Sequence, residues 1–195
     1  MIHPHTEVRF IDHEVGYGVF ASEFIPRGTV TWVRDQLDRE FSPPELEAFS
    51  PASRETLDRF SYRNEKGHYV FCWDHARFMN HSAQPTCLLT PYGLEIAVRD
   101  IPADEELSND YGCFNIIEPF SPKAETDGRA TVQHDDLTRH SAQWDTQIAA
   151  AVTFVDQVNQ PLLRLITPEV WEHLADAACG RAALRSTAEL FFHGK

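Results

Sequence analysis

The stretch Arg77–Thr86, "RFMNHSAQPT", places Asn80, His81 and Ser82 side by side between apolar residues. A neighbouring histidine and serine suggest nucleophilic catalysis, in which the imidazole would activate the hydroxyl. A serine nucleophile normally lies in a strained turn such as G-x-S-x-G, or opposite a base that a third group holds in place. Neither context surrounds Ser82, so the sequence disfavours hydrolase chemistry.

Metal binding is a second interpretation of the same region. Four potential zinc ligands lie close together in the sequence, at Cys72, His75, His81 and Cys87. Their spacing, C-x2-H-x5-H-x5-C, is not one that zinc sites commonly use, and Cys72 falls in a predicted strand, where it is expected to face the core. The sequence therefore predicts no metal site.

The composition of the chain limits which kinds of protein it can be and which partners it can bind. The 195 residues carry a formal charge of −13 and four widely spaced cysteines, which favours reduced thiols in the cytoplasm. Since the chain has neither a signal-peptide segment nor a run of 18 apolar residues, we expect a soluble cytoplasmic protein with no membrane partner. The lack of a basic stripe disfavours direct nucleic-acid binding, whereas the acidity suits a basic partner.

The pattern up to about residue 117 predicts a body made mainly of β-strands. Short apolar pieces separated by glycine and proline predict three strands between residues 8 and 33. Further strands are predicted at 68–74, 87–90 and 94–100, and the last alternates apolar and polar residues as a half-buried strand does.

Helices are predicted in two places. Ser42 and Ser50, each followed by proline, predict two short helices before residue 61. Beyond a polar run, Thr167 begins a further helix with proline and glutamate. Before it, apolar residues recur at helical spacing, at Trp144, Ile148, Val152, Val155 and Leu162. The expected domains are 1–117, with an insert at about 35–67, and a linker with a helical segment at 118–195.

Two more stretches complete the pattern, "GYGVFASEFIPRGT" at 16–29 and "ELSNDYG" at 106–112, the second of which would alone indicate only a turn. Together with "RFMNHSAQP", in this order and at these separations, they resemble the SET-domain family of S-adenosylmethionine-dependent protein lysine methyltransferases. The resemblance covers about Glu7 to Ile117 and is nearest to small single-domain SET proteins of bacteria. It implies a mainly β SET fold of short curved sheets, here followed by a C-terminal helical tail. It also implies a pseudoknot, in which the segment ending in D-Y-G is tucked beneath the loop after N-H-S, an exception to the rule against threading.

The resemblance further implies a cofactor, S-adenosyl-L-methionine, and a set of site residues. The cofactor-binding residues would be Gly16, Tyr17, Gly18, Arg77, Phe78, Asn80, His81 and Tyr111. Tyr111 would be the catalytic tyrosine and Tyr62 a second tyrosine that contacts the target amine, while Asn109 and Phe114 would line the lysine-binding channel. The substrate would be a lysine in a basic protein of histone-like or ribosomal type.

The sequence departs from the family pattern at several points. Ala83 and Thr86 replace the cysteine and the asparagine of the usual N-H-S-C-x-P-N run, and Asn109 stands where the family usually has phenylalanine or tyrosine. The cysteine-rich zinc module that often follows the domain is absent, so the helical tail is expected to close the substrate channel. The alternative function is a catalytically inactive SET fold that binds a protein without methylating it.

Methyl transfer requires a neutral amine, and at pH 7 only about one lysine in 2,500 is neutral at the reference pKa of about 10.4. A dry channel beside a sulfonium would lower the pKa of the bound lysine, whereas nearby carboxylates would raise it. Six acidic residues and no basic ones lie between Asp100 and Glu118. We therefore expect these carboxylates to face the channel mouth and solvent, where they would steer a basic segment without touching the reacting amine.

Overall fold

The computed structural model describes residues 1–122 and 129–194, and within these ranges short strands precede a helical C-terminal part. The strands are β1 Thr6–Asp12, β2 Gly16–Ala21, β3 Val30–Val33, β4 Arg39–Phe41, β5 Ser61–Arg63, β6 Tyr69–Phe71, β7 Asn80–His81, β8 Cys87–Thr90, β9 Leu94–Ala97 and β10 Glu106–Asn109. The α-helices are α1 Pro43–Glu47, α2 Pro51–Phe60, α3 Asp136–Val152 and α4 Pro168–Ala178. Short 3-10 helices lie at His75–Phe78, Tyr111–Cys113, Leu163–Leu165 and Thr187–Leu190. The predicted fold class, mainly β with a C-terminal helical tail, is confirmed.

Seven strands form one curled sheet in the order β1-β2-β10-β8-β9-β3, with β7 paired to β10 beside this path. Strand β10 runs parallel to β7 and β8, with Ser108 opposite Asn80, and with Asn109 opposite both His81 and Cys87. Because of this pairing, the N-H-S and D-Y-G motifs lie side by side although about 30 residues separate them. The pseudoknot that the resemblance implies stays a prediction.

A second sheet, in the order β4-β6-β5, is accompanied by the two short helices. Helix α1 begins after Ser42, whose backbone N–H donates to the Glu45 carboxylate at 2.8 Å. Helix α2 begins after Ser50, whose Oγ accepts a hydrogen bond from the Ser53 backbone N–H at 3.2 Å. Proline occupies the first turn of both helices, so the predicted helix starts are confirmed.

Two features of the sheet differ from the sequence prediction. Residues Glu106–Asn109 form a strand in the middle of the larger sheet, where local composition indicates only a turn. The alternation in β9 predicts one exposed face, but Glu95 and Ala97 are as buried as their apolar neighbours. Strands β8 and β3 cover the two edges of β9, and helix α3 packs against the strand.

The C-terminal helices share the apolar core of the sheet. Trp144, Ile148 and Val152 of α3 are buried together with residues of β2, β8 and β9, and Val155 and Leu162 join the same core after α3 has ended. Helix α4 begins after Thr167, as predicted. The domain division near residue 117 stays a prediction. In the described ranges, no helix is both long and apolar enough to cross a membrane.

Candidate functional site

A direct hydrogen bond joins the N-H-S and D-Y-G motifs. The backbone N–H of Tyr111 donates to Nδ1 of His81 at 3.0 Å, and the two rings lie 5.4 Å apart between centroids. Beside them, the Asn80 side-chain amide donates to the Glu106 carboxylate at 2.7 Å and to the Tyr17 carbonyl at 3.1 Å. Asn80 thereby connects β7, β10 and the G-Y-G segment.

The G-Y-G segment lies close to this junction because its glycines have no side chains. Gly16 has a positive φ of 87°, a conformation that L-residues rarely adopt. A Cβ atom at Gly18 would lie 2.4 Å from Oε1 of Glu106 and 3.1 Å from the Asn80 amide nitrogen. A Cβ atom at Gly16 would lie 3.4 Å from the Arg59 guanidinium. The segment therefore forms a narrow surface between a carboxylate and a guanidinium.

Aromatic rings flank this surface. Tyr17 is about half exposed, and its ring centroid lies 5.9 Å from that of Phe78, which in turn lies 5.4 Å from that of Phe60. The Arg77 guanidinium stacks over the Phe78 ring at 4.9 Å and donates to the Trp73 carbonyl at 2.8 Å. Arg77 thus holds the start of the "RFMNHS" stretch in place.

A cavity of about 540 Å³ opens beside the junction, and six aromatic side chains contribute to its lining. Tyr62 and Phe114 have centroids 5.1 Å apart, Phe114 and Tyr111 lie 5.6 Å apart, and Trp32 lies 6.2 Å from Tyr62. Of the sequence-predicted site residues, five line the cavity: Tyr62, Arg77, Asn109, Tyr111 and Phe114. The others, Gly16, Tyr17, Gly18, Phe78, Asn80 and His81, are outside its lining and form the adjoining junction.

Two tyrosine hydroxyls of the cavity are held in their neutral form. The Tyr111 hydroxyl donates to the Met79 carbonyl at 2.7 Å, and burial raises the pKa of this phenol above its ordinary value. Burial also raises the pKa of Tyr62 well above its ordinary value. Both residues can therefore act as hydrogen-bonding groups at neutral pH, but not as bases.

The structure adds a buried acidic residue, Glu95, to the cavity that the sequence did not predict. Glu95 is only 7% exposed and Asn109 only 1%, and both line the cavity together with Cys72 and Trp32. Among the described residues, Glu95 Oε2, both polar atoms of the Asn109 side chain and Trp32 Nε1 have no hydrogen-bond partner. Burial raises the pKa of the Glu95 carboxyl from 4.5 to about 7, and the adjacent Asn109 amide moderates the shift.

The expectation that the acidic run of 100–118 faces the channel mouth is wrong for Asp110. This carboxylate is 3% exposed, pairs with the Arg129 guanidinium and accepts a hydrogen bond from Trp144 Nε1 at 3.2 Å. Of the six acidic residues in that run, Glu118 lines the cavity, whose other charged lining residues are Asp58, Arg59, Arg63, Arg77 and Glu95. The described lining is therefore balanced in charge rather than acidic.

The replacement of asparagine by threonine at position 86 is compensated locally. Thr86 Oγ1 accepts a hydrogen bond from the backbone N–H of Ser108 at 2.7 Å and donates to the Ser108 carbonyl at 3.2 Å. The hydroxyl therefore connects the chain after N-H-S to β10. In the part of the chain that the structure describes, no group of three or more His, Cys, Asp or Glu side chains could hold a metal ion.

The sequence matches the model of a known protein family. The family model described as the SET domain matches residues 16–112, from the G-Y-G segment to the glycine of D-Y-G. No curated protein sequence matches the chain.

Proposed function

The chain is a SET-domain protein, and from this premise we propose that it transfers methyl groups from S-adenosyl-L-methionine to the side-chain amine of a lysine in a basic protein. The observation that carries the proposal is the ring-lined cavity, into which Tyr62, Tyr111 and Phe114 converge at the junction of N-H-S and D-Y-G. A long aliphatic side chain with a cationic end matches such a lining, because aromatic faces attract ammonium groups.

The junction has the donors and acceptors that the proposed cofactor requires. S-adenosylmethionine has a carboxylate, an amino group, hydroxyls, an adenine ring and a sulfonium, and when bound it supplies an electrophilic methyl group. The Arg59 guanidinium beside Gly16 is suited to the carboxylate, and Glu106 beside Asn80 is suited to an amino group or hydroxyls. Exposed Tyr17 next to Phe78 offers flat apolar surface for a base. The residues present therefore fit this group.

Within the proposed reaction, the protein orients the amine and excludes water. The Tyr111 hydroxyl, whose proton is donated to the Met79 carbonyl, would accept a hydrogen bond from the amine, and the Tyr62 hydroxyl would accept or donate one. The adjacent rings would confine the lysine stem. Placing one polar group correctly in such a site is worth about a hundredfold in rate. The substrate is proposed to be a histone-like or ribosomal lysine segment, and the acidity of the chain supports a basic partner.

The first experiment measures cofactor binding. Because a ligand that binds only the folded state raises the melting temperature, saturating S-adenosylmethionine should stabilise the wild type, and also the Tyr111→Phe variant, which keeps the ring. Absence of a shift in the wild type would contradict the proposal.

The second experiment measures transfer. The protein is incubated with methyl-labelled cofactor and separate pools of purified histone-like and ribosomal proteins, and modified residues are identified by mass spectrometry. Label on lysine that falls about a hundredfold with Tyr111→Phe supports the proposal. The matched control is Tyr92→Phe, since Tyr92 is outside the cavity lining. Cofactor binding without transfer to any pool would support the alternative of an inactive binding module.

A further inference from the structure

The inner part of the cavity contains a carboxyl group that the structure leaves without an ionic partner. Glu95 comes from β9, lines the cavity and is more than nine-tenths buried. Its Oε2 atom accepts no hydrogen bond from any residue in 1–122 or 129–194. A buried carboxylate without an ionic partner lowers the stability of the folded protein, because it loses its hydration and no opposite charge compensates for that loss.

The groups around Glu95 do not neutralise it. Three thiols and two phenols lie close enough to interact with it electrostatically, namely Cys72, Cys87, Cys113, Tyr62 and Tyr111. Burial raises the pKa of all five, so they stay neutral at neutral pH. The charged groups that act on Glu95 are the Asp74 carboxylate and the amino group of Met1, and their effects on its pKa are opposite in sign. The Glu95 carboxyl can therefore pair with a cationic group of a ligand that binds in the cavity.

The polar atoms of Asn109 point to the same conclusion. Asn109 is on β10, is 1% exposed and lines the same cavity, and neither its Oδ1 nor its Nδ2 has a hydrogen-bond partner among the described residues. The Asn109 amide is nevertheless close enough to the Glu95 carboxyl to lower its pKa, so the two buried side chains form one polar cluster that the described residues leave short of hydrogen bonds. Together the two side chains offer acceptors for an ammonium group, and Tyr62 provides an aromatic face beside them.

We propose that Glu95 is the counterion and proton acceptor for the substrate ammonium, and that Asn109 orients the amine. This inference rests on the proposed function and assigns a further residue to the same site. An anion in the cavity lets the charged form of lysine enter, since without one the dry channel would admit only the rare neutral amine. The expectation that no carboxylate touches the reacting amine is thereby replaced.

The proton is accounted for at each stage. An N–H bond of the ammonium breaks and an O–H bond forms on the Glu95 carboxylate, which leaves a neutral amine and a neutral carboxylic acid. Transfer of the methyl group would then form an N–C bond as the S–C bond of the sulfonium breaks, which leaves a neutral thioether. The nitrogen is again a cation, and it leaves as a methylammonium. Glu95 then returns its proton to water, so one proton is released for each methyl group transferred.

Burial makes Glu95 a better acceptor than an exposed glutamate. Its pKa of about 7, compared with 4.5 in water, increases its affinity for a proton roughly 300-fold. Proton transfer also removes two opposite charges from a poorly hydrated cavity, which favours the neutral pair. The acceptor therefore both admits the ammonium and converts it to the reactive form.

The first test needs no turnover. The probe is n-butylammonium, which mimics the end of lysine, and its binding to the full-length protein is titrated by NMR or calorimetry at pH 8 and pH 5.5. We expect binding to the wild type to weaken roughly 30-fold at pH 5.5, where Glu95 is protonated, and to be weak at both pH values in Glu95→Gln. The uncharged probe n-pentanol should bind both proteins alike.

Controls keep the result interpretable. Glu105→Gln makes the same change at a carboxylate that pairs with Arg99 outside the cavity lining, and it should bind the probe as the wild type does. Glu95→Asp keeps the charge on a shorter stem and should retain the pH dependence. Equal probe binding by the wild type and Glu95→Gln, or no binding by the wild type, would overturn the proposal.

The second test is the pH profile of kcat/KM on the substrate protein found in the transfer experiment. In the wild type it should rise about tenfold between pH 6 and 8 as Glu95 ionises, and in Glu95→Gln this rise should disappear with a loss of about a hundredfold at pH 7.5. An unchanged profile in Glu95→Gln would refute the role of Glu95 while leaving the methyltransferase proposal intact. Failure of the wild type to bind cofactor or transfer label would refute the proposed function instead, and the probe titration would still decide whether Glu95 binds a cation.

Discussion

Replacing Glu95 by glutamine tests the electrostatics of the cavity through protein stability, without any assumption about function. The carboxyl has a pKa of about 7 in the folded protein and of 4.5 in the unfolded chain. Below pH 4.5 it is protonated in both states. Between pH 4.5 and 7 the unfolded chain ionises first, so folding stability falls as pH rises and is lowest above pH 7. The difference of 2.5 in pKa corresponds to a loss of about 3 kcal/mol.

Glutamine has nearly the same shape as the protonated acid and cannot ionise. Glu95→Gln should therefore match the wild type in unfolding free energy near pH 4.5 and exceed it by about 3 kcal/mol at pH 8.5. Urea unfolding at five pH values measures both curves, and taking the difference cancels the titration of groups that the two proteins share. Glu105→Gln removes a partly exposed carboxylate and should change stability by less than about 1 kcal/mol at every pH. A difference between Glu95→Gln and wild type that stays constant from pH 4.5 to 8.5 would refute the reasoning.

Further predictions concern catalysis, the products and the packing of the site. Tyr111→Phe should lower methyl transfer about a hundredfold with cofactor binding retained, measured by labelled-methyl incorporation and by thermal shift. The wild type should add more than one methyl group because Asn109 is smaller than a ring, and Asn109→Tyr should shift the products toward monomethyl-lysine. Mass spectrometry over a time course decides this, and only monomethylated product from the wild type with excess cofactor would contradict it. Thr86→Ala should destabilise the protein by about 1–3 kcal/mol, because the buried N–H of Ser108 loses its acceptor. Truncation after Ile117 should expose the face that α3 covers and lower solubility and unfolding free energy, whereas an equally stable, monomeric fragment would contradict the shared core.

Local signals were sufficient to predict much of the fold. The helix starts at Ser42, Ser50 and Thr167 depend on a capping side chain followed by proline, which is a property of a few neighbouring residues. The strand Cys87–Thr90 was predicted with the bounds that the structure shows, because its apolar residues are contiguous and end at a turn. Such features do not depend on distant parts of the chain.

The site is formed by contacts between residues far apart in the sequence, and local sequence patterns do not predict such contacts. The parallel pairing of β10 with β7 could be predicted only from the resemblance of three separated motifs to the SET-domain family. Nothing local to residues 106–109 indicates a central strand. Asp110 was expected to face solvent, but Arg129 and Trp144, which lie well downstream in the chain, enclose it. Within the described ranges, Asp110 is therefore buried, although the composition of the acidic segment indicated that its side chains would be exposed to solvent.

Glu95 is the residue that sequence reasoning missed, and the reason is physical. Alternation of apolar residues with residues such as Glu95 along a strand indicates an exposed face, and this inference holds only when one side of the sheet meets water. In β9 the residues of both faces are buried, and Glu95 lies in the cavity lining, so alternating polarity along this strand does not indicate exposure. The sequence did contain one indication of a polar cavity. Asn109 stands where the family usually has phenylalanine or tyrosine, and asparagine leaves space that an aromatic ring would have filled.

The effect of Glu95 on stability and its proposed role as a proton acceptor both depend on the same quantity, which is the increase of its pKa on folding. A pKa raised from 4.5 to about 7 means that the folded protein holds the proton roughly 300-fold more tightly than the unfolded chain does, which is the same as the loss of about 3 kcal/mol at high pH. Any substitution that relieves the instability by hydrating or pairing Glu95 must also lower its proton affinity. Variants at Asn109, Cys72 or Trp32, which line the same cavity, that hydrate or pair Glu95 should therefore gain stability at pH 8.5 relative to pH 4.5, and the rise of kcat/KM with pH should move to lower pH. Variants that change stability equally at pH 4.5 and 8.5 should leave the pH profile of transfer unchanged, because they act on packing and not on the carboxyl.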